Sequence, residues 1–235
     1  MTIAQLLPII VAPFVAGLLR VLIETLAGGT PVVCDRRSRL RGLLLRCRAA
    51  ASVFPPAIVM ASTAVALLAV ILSDDPGRVW ADCVLGWTLI ALAWIDARHF
   101  RLPDALTLPL LLTGLVATWL VLPEALLDHT LATITGYLVF RLVAWGYRIW
   151  RGHDGLGMGD AKLLAAGGAW VGSNGLSAVV FVAAVLGLAW AFTLRMRGRR
   201  VDNRSMIPFG PPLAVAIWLV RSLDFFLLPY LWIAE

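Results

Sequence analysis

Charge is scarce in this sequence, and lysine almost missing. Charged residues make up 14% of the 235 and apolar residues 60%, where a soluble domain carries about 25% and about 45–50%. That balance excludes an ordinary soluble globular domain. Cysteine is equally sparse. Cys34, Cys47 and Cys83 stand singly, with no CxxC pair, so neither a disulfide framework nor a zinc site is expected, and no metal ligands are assigned. The net charge of +6 could suggest nucleic acid as a partner. It rests on nineteen Arg and one Lys, most of them in short links between apolar blocks. This is a signal of membrane topology and not a phosphate-binding face, so no nucleic-acid partner is expected. No cleavable signal peptide is expected either, because the first block lacks a basic leading region and carries Arg20 and Glu24 near its far end.

What is present is a series of apolar blocks near the length of about 20 residues that crosses a bilayer. They run Ile3–Leu26, Ser52–Leu72, Val79–Ile95, Ala105–Leu122, Leu126–Tyr147, Ala161–Val171, Leu176–Leu194 and Pro211–Ile233. The expected fold is therefore all-α, a polytopic membrane helical bundle of about eight spans surrounded by lipid. The sixth block is short, and is expected as a half-span or a re-entrant segment. No link is long enough to form a second domain outside the membrane.

Basic and non-basic links alternate. The first link holds Arg36, Arg37, Arg39, Arg41, Arg46 and Arg48, and the second only Arg78 beside Asp74 and Asp75. Arg98 and Arg101 mark the third, and Arg148, Arg151 and Lys162 the edges of the fifth. Arg195, Arg197, Arg199, Arg200 and Arg204 mark the seventh. The fourth and sixth, Gly172–Gly175 being the sixth, have no base. The positive-inside rule then puts the odd links in the cytoplasm and both termini in the periplasm, with the short sixth block counted as a crossing.

Ionisable residues at or inside spans are costly, which makes them candidates for function. Two acidic clusters stand out: Ile95-Asp96 through Leu102-Pro103-Asp104, and Gly157-Met158-Gly159-Asp160-Ala161-Lys162. Both fall at cytoplasmic ends of spans by the charge pattern, so two carboxyls distant in sequence share one face of the bilayer. Two carboxyls that meet cannot both ionise. One can then activate a water while the other hydrogen-bonds the scissile carbonyl, which is aspartic hydrolysis. Gly157 and Gly159 are expected to allow positive φ and close packing. Asp160 is expected to open a helix as its N-cap, with Lys162, the only lysine, nearby.

Plainer readings compete. A lone GxGD is weak in a glycine-rich chain, and Asp96 alone could be a solvated helix end. Asp104 after Pro103 reads as the N-cap of the fourth block, so that its loss should leave most activity intact. His99 and His153 read as solvated loop residues. Trp80, Trp145, Trp150 and Trp232 fit an interfacial belt.

Taken in order, Ile95-Asp96 through Leu102-Pro103-Asp104 with Leu106-Thr107-Leu108-Pro109-Leu110, then Gly157-Met158-Gly159-Asp160-Ala161-Lys162-Leu163-Leu164, then Ile207-Pro208-Phe209-Gly210-Pro211, resemble the bacterial type IV prepilin peptidase family, which belongs with the GxGD intramembrane aspartic proteases. The resemblance covers roughly residues 80–235. It implies catalytic roles for Asp96 and Asp160, with Gly157, Gly159, Lys162, Pro103 and Asp104 as supporting motif residues. It further implies a prepilin or pseudopilin substrate, cut after a glycine at the cytoplasmic face of the bacterial inner membrane, in a type IV pilus or secretion system. The resemblance implies an organisation of residues 1–75 as an amino-terminal two-helix region with a short basic loop, and 76–235 as the peptidase core.

The peptidase reaction of that family needs no cofactor. Full-length members carry two CxxC pairs in the first cytoplasmic loop. Their amino-terminal region is linked to methylation with S-adenosylmethionine. Here the loop is about 25 residues long, with Cys34 and Cys47 single, so methylation, and with it S-adenosylmethionine, is in doubt. The alternatives are a transporter or channel subunit, a presenilin-like or signal-peptide-peptidase-like member of the wider GxGD group, or a non-catalytic assembly factor derived from a peptidase. No repeat relates the two halves, the acidic pair lies at one membrane face, Pro-Phe-Gly-Pro replaces a Pro-Ala-Leu element, and both aspartates are present. Each feature disfavours one of these alternatives.

Overall fold

A computed structural model describes residues 3–27, 56–73, 75–152, 157–196 and 208–231. Cys34, Cys47, His153, Trp232 and most arginines of the first and seventh links lie outside them. The described residues form seven α-helices, with no strand among them. We number them α1 (Ile3–Ala27), α2 (Pro56–Leu72), α3 (Pro76–His99), α4 (Asp104–Val121), α5 (Leu126–Arg151), α6 (Met158–Met196) and α7 (Gly210–Leu231). A single 3-10 turn at Pro123–Ala125 links α4 to α5. Leu6–Leu26, α3, α4 and α6 are long and apolar enough to cross a membrane, and Ala57–Leu72 and Gly210–Leu223 are shorter apolar helices. The chain is thus an all-α, multi-pass membrane protein.

It divides into two compact units, residues 1–95 and 96–235. In the first, small residues let the helices approach closely. Ala12, Ala66 and Ala69 pack with Val70, Val79, Cys83 and Trp87. Two polar groups are satisfied inside that core: the Ser62 hydroxyl donates to the Ala12 carbonyl at 3.3 Å, and Trp87 Nε1 to the Ser62 carbonyl at 3.1 Å. Without water to take these groups, such internal pairing is what the bilayer demands.

The second unit is organised around the first limb of α6. From Asp160 to Gly172, every residue but Lys162 is buried. The run Leu163-Leu164-Ala165-Ala166-Gly167-Gly168-Ala169 makes this possible, because small side chains let neighbouring backbones come close. A methyl group added at Gly168 would lie 2.6 Å from the Ala132 carbonyl oxygen of α5, and one at Gly167 would lie 2.9 Å from Ile217 of α7.

The sixth and seventh apolar blocks form the two limbs of α6, two helices that meet at a kink at Gly172, the first residue of the expected Gly172–Gly175 link. Gly172 alone leaves helical geometry, with φ 69° and ψ −174°. The break is held from α5. Asp128 accepts hydrogen bonds from the Ser173 N–H at 3.0 Å and from the Ser173 hydroxyl. A ring nitrogen of His129 lies 2.9 Å from the Ala169 carbonyl oxygen. A side-chain carboxylate thus supplies the cap that a second helix start needs, and no link residues are required. Glycine is required at the break itself, since its φ is left-handed and a Cβ there would fall 2.6 Å from Asp128 Oδ2.

Candidate active site

Asp96 sits in the last turn of α3, and the helix ends just beyond it. The Phe100 N–H closes that turn on the Asp96 carbonyl at 2.9 Å. Phe100 itself takes the left-handed conformation, φ 51°, at the position where helices usually stop on glycine. Asp96 is not a solvated helix end: it is 6% exposed. Asp160 lies in the first turn of α6 and is 8% exposed. The two aspartates, 64 positions apart, are close enough for their charges to interact. They belong to the few polar side chains buried among the described residues.

Each carboxylate accepts a hydrogen bond from a glycine N–H. Gly210 donates to Asp96 Oδ2 at 2.9 Å, and Gly157 to the Asp160 carboxylate. The Gly210 donor is set by sequence in a simple way. It opens α7 and is followed by Pro211 and Pro212, which have no N–H. Gly210 is therefore the sole backbone donor among the first three residues of that helix, and prolines in the first turn suit a helix start. A side chain could not replace its hydrogen, because a Cβ would lie 2.6 Å from Asp96 Oδ2. Gly210 was not among the site residues expected from sequence. The Phe-Gly-Pro-Pro run was the available signal, but a backbone donor leaves no side chain to mark it.

Two details of the second motif differ from expectation. Gly157 and Gly159 do not take positive φ; among the described glycines only Gly152 and Gly172 do. Gly159 serves close packing instead, since a Cβ there would meet Leu102 at 2.8 Å. Asp160 is not the N-cap, because α6 already begins at Met158.

Asp104 is also not an N-cap. Pro103 occupies that position, and no side chain caps the helix. Asp104 instead forms a two-pronged ion pair with Lys162, at 2.6 and 2.7 Å. The two acidic motifs are thereby joined at two places, between Leu102 and Gly159 and between Asp104 and Lys162, and the aspartates also act on each other through charge. His99, expected in a loop, is instead the last residue of α3, and it is exposed as expected.

A cleft of about 350 Å³ lies beside this region, between α4, α5 and the first limb of α6, with Thr107, Leu111, Tyr137, Lys162 and Ala165 among its walls. Neither aspartate lines it. Among the described residues no group of His, Cys, Asp and Glu could hold a metal ion.

Fold and site together define a multi-pass α-helical membrane protein with a buried aspartate pair at helix ends. The family described as the type IV leader peptidase family matches residues 83–192, which contain both aspartates. A prepilin leader peptidase/N-methyltransferase of Dichelobacter nodosus is 37% identical over 180 residues, 77% of this chain and 61% of that protein. One of Aeromonas salmonicida is 38% identical over 181 residues, 77% of this chain and 62% of the other. One of Burkholderia pseudomallei is 39% identical over 191 residues, 80% and 62%. The chain spans about three-fifths of the length of these curated relatives. No solved structure matches it significantly. The likeness to the type IV leader peptidase family thus extends over most of the chain, beyond the residues that the family model itself matches.

Proposed function

We propose that this protein is an aspartic endopeptidase of the bacterial inner membrane that removes the leader peptide of type IV prepilins or pseudopilins. The observation that carries the reading is the buried Asp96–Asp160 pair, each member oriented by a glycine N–H. In the proposed reaction one carboxylate takes a proton from water as its oxygen attacks the scissile carbonyl carbon. The other, protonated, carboxyl donates to the carbonyl oxygen. Collapse of the tetrahedral intermediate breaks the C–N bond, and the departing amine takes a proton from the pair.

Residues 76–235 form the proposed peptidase core, and residues 1–75 its amino-terminal two-helix region. The arginine-rich links support a proposed topology with the aspartate ends of the helices, and hence cleavage, at the cytoplasmic face and both termini periplasmic. The relatives' names include N-methyltransferase. For this chain we assign methylation, with its S-adenosylmethionine, a weak role or none, on the short loop and the single Cys34 and Cys47.

The test is cleavage of a prepilin-like substrate, with a basic leader ending in glycine and a following apolar helix, by the chain in membranes. Processing by the native chain and none by Asp160→Asn, at equal expression, is the expected result. Normal cleavage by Asp160→Asn would overturn the reading.

A further inference from the structure

We propose that the Asp104–Lys162 ion pair is a positioning latch that sets how Asp160 is presented to Asp96. Asp160 and Lys162 share the first turn of α6 and are two residues apart. At about 100° per residue they point to opposite sides of the helix, about 200° apart. Asp160 faces the buried pair while Lys162 reaches out to α4. A tether on the far side fixes the rotation of a helix about its own axis, and that rotation decides where Asp160 aims.

The tether is well formed for this. Both Asp104 oxygens accept from the same ammonium, at 2.6 and 2.7 Å, and the partners are 58 positions apart. The eight-residue step from Asp96 to Asp104 contains Leu102, which packs on Gly159. The segment following one aspartate therefore grips the turn carrying the other at two points. The side chains are 31% exposed for Lys162 and 55% for Asp104. An ion pair so exposed adds little to stability, so a large effect of breaking it would be one of geometry.

The latch rests on the peptidase reading, and the experiment separates the two. Asp104→Asn and Lys162→Met break the pair; Asp104→Glu and Lys162→Arg retain it. Each is assayed for kcat and KM on the prepilin-like substrate, and for thermal unfolding in detergent, beside the native chain and Asp160→Asn. The expected result is a fall in kcat of about 10²-fold for the two breaking variants, as a misplacement of about 1 Å produces. KM and the unfolding midpoint should stay near native, and the two conservative variants should cleave within about threefold of native. Native kcat in both breaking variants would overturn the latch while leaving the peptidase reading in place. A raised KM at native kcat would overturn it too, in favour of Lys162 touching substrate from the adjoining cleft. Normal cleavage by Asp160→Asn would overturn both proposals at once.

Discussion

The backbone N–H of Gly210 donates a 2.9 Å hydrogen bond to Oδ2 of Asp96, across 114 positions of sequence. The start of α7 thus opens directly onto a carboxylate in the last turn of α3. Two prolines follow Gly210, so no neighbouring N–H can take over. The third motif of the sequence, far from either aspartate, acquires a physical function through this contact.

Gly210→Ala is the direct probe. The added Cβ would lie 2.6 Å from Oδ2, 2.8 Å from Cγ and 2.9 Å from Cβ of Asp96, too close for any side-chain adjustment of the alanine. Asp96 or the start of α7 must shift. The expected outcome is a loss in kcat of about 10²-fold, with normal membrane insertion, read from initial rates of substrate cleavage. Cleavage at the native rate would mean that the contact is dispensable.

Much of this was legible before any coordinates, and the reasons differ by feature. Helix positions were legible because a bilayer requires long apolar runs: the expected Ala105–Leu122 and Leu126–Tyr147 appear as Asp104–Val121 and Leu126–Arg151. Asp96 and Asp160 were legible because carboxyls are rare in such a chain. How sharply the sixth and seventh blocks meet at Gly172 was not, since it depends on Asp128 reaching Ser173, a tertiary contact with no local signature. The partner of Asp104 was hidden for the same reason. Locally it resembles any acidic residue at a helix start, and only the fold brings Lys162 to it.

Asp128→Ala should destabilise the bend without removing activity. It leaves the Ser173 N–H and hydroxyl without their acceptor, which is the loss of a helix cap and costs about 0.5–2 kcal/mol. The bend lies twelve residues from Asp160, about 18 Å along the helix axis. Thermal unfolding in detergent should show a lower midpoint, while kcat stays within about threefold of native. A collapse of kcat at unchanged stability would tie the bend to the reaction instead.

The proposed topology is checked by labelling. In a chain freed of Cys34, Cys47 and Cys83, Arg199→Cys should react with an impermeant thiol reagent only in inside-out vesicles. Modification from the periplasmic side of intact cells would invert the orientation and move the aspartate pair to the other face.

Methylation is expected to separate the chain from what its relatives' names include. With the substrate processed by this chain alone and S-adenosylmethionine supplied, mass spectrometry should find a new amino terminus largely unmethylated. Complete methylation would show that two CxxC pairs in the first loop are dispensable for that step.

The two aspartates should behave as one unit. Asp96→Asn and Asp160→Asn each keep the side chain's size and part of its hydrogen bonding, including acceptance from Gly210 or Gly157 through the amide oxygen. Neither asparagine can take a proton from water or pass one to the departing amine. One remaining carboxyl cannot be both base and acid in the same attack, so each single variant should lose essentially all cleavage. The second substitution then has nothing left to remove, and the double variant should be no slower than either single one. The measurement is the rate of leader removal in membranes, with equal amounts of inserted protein confirmed for all three. Independent contributions would instead multiply, leaving partial activity in each single variant and a further drop in the double. That pattern would mean that the two carboxyls do not share the reaction.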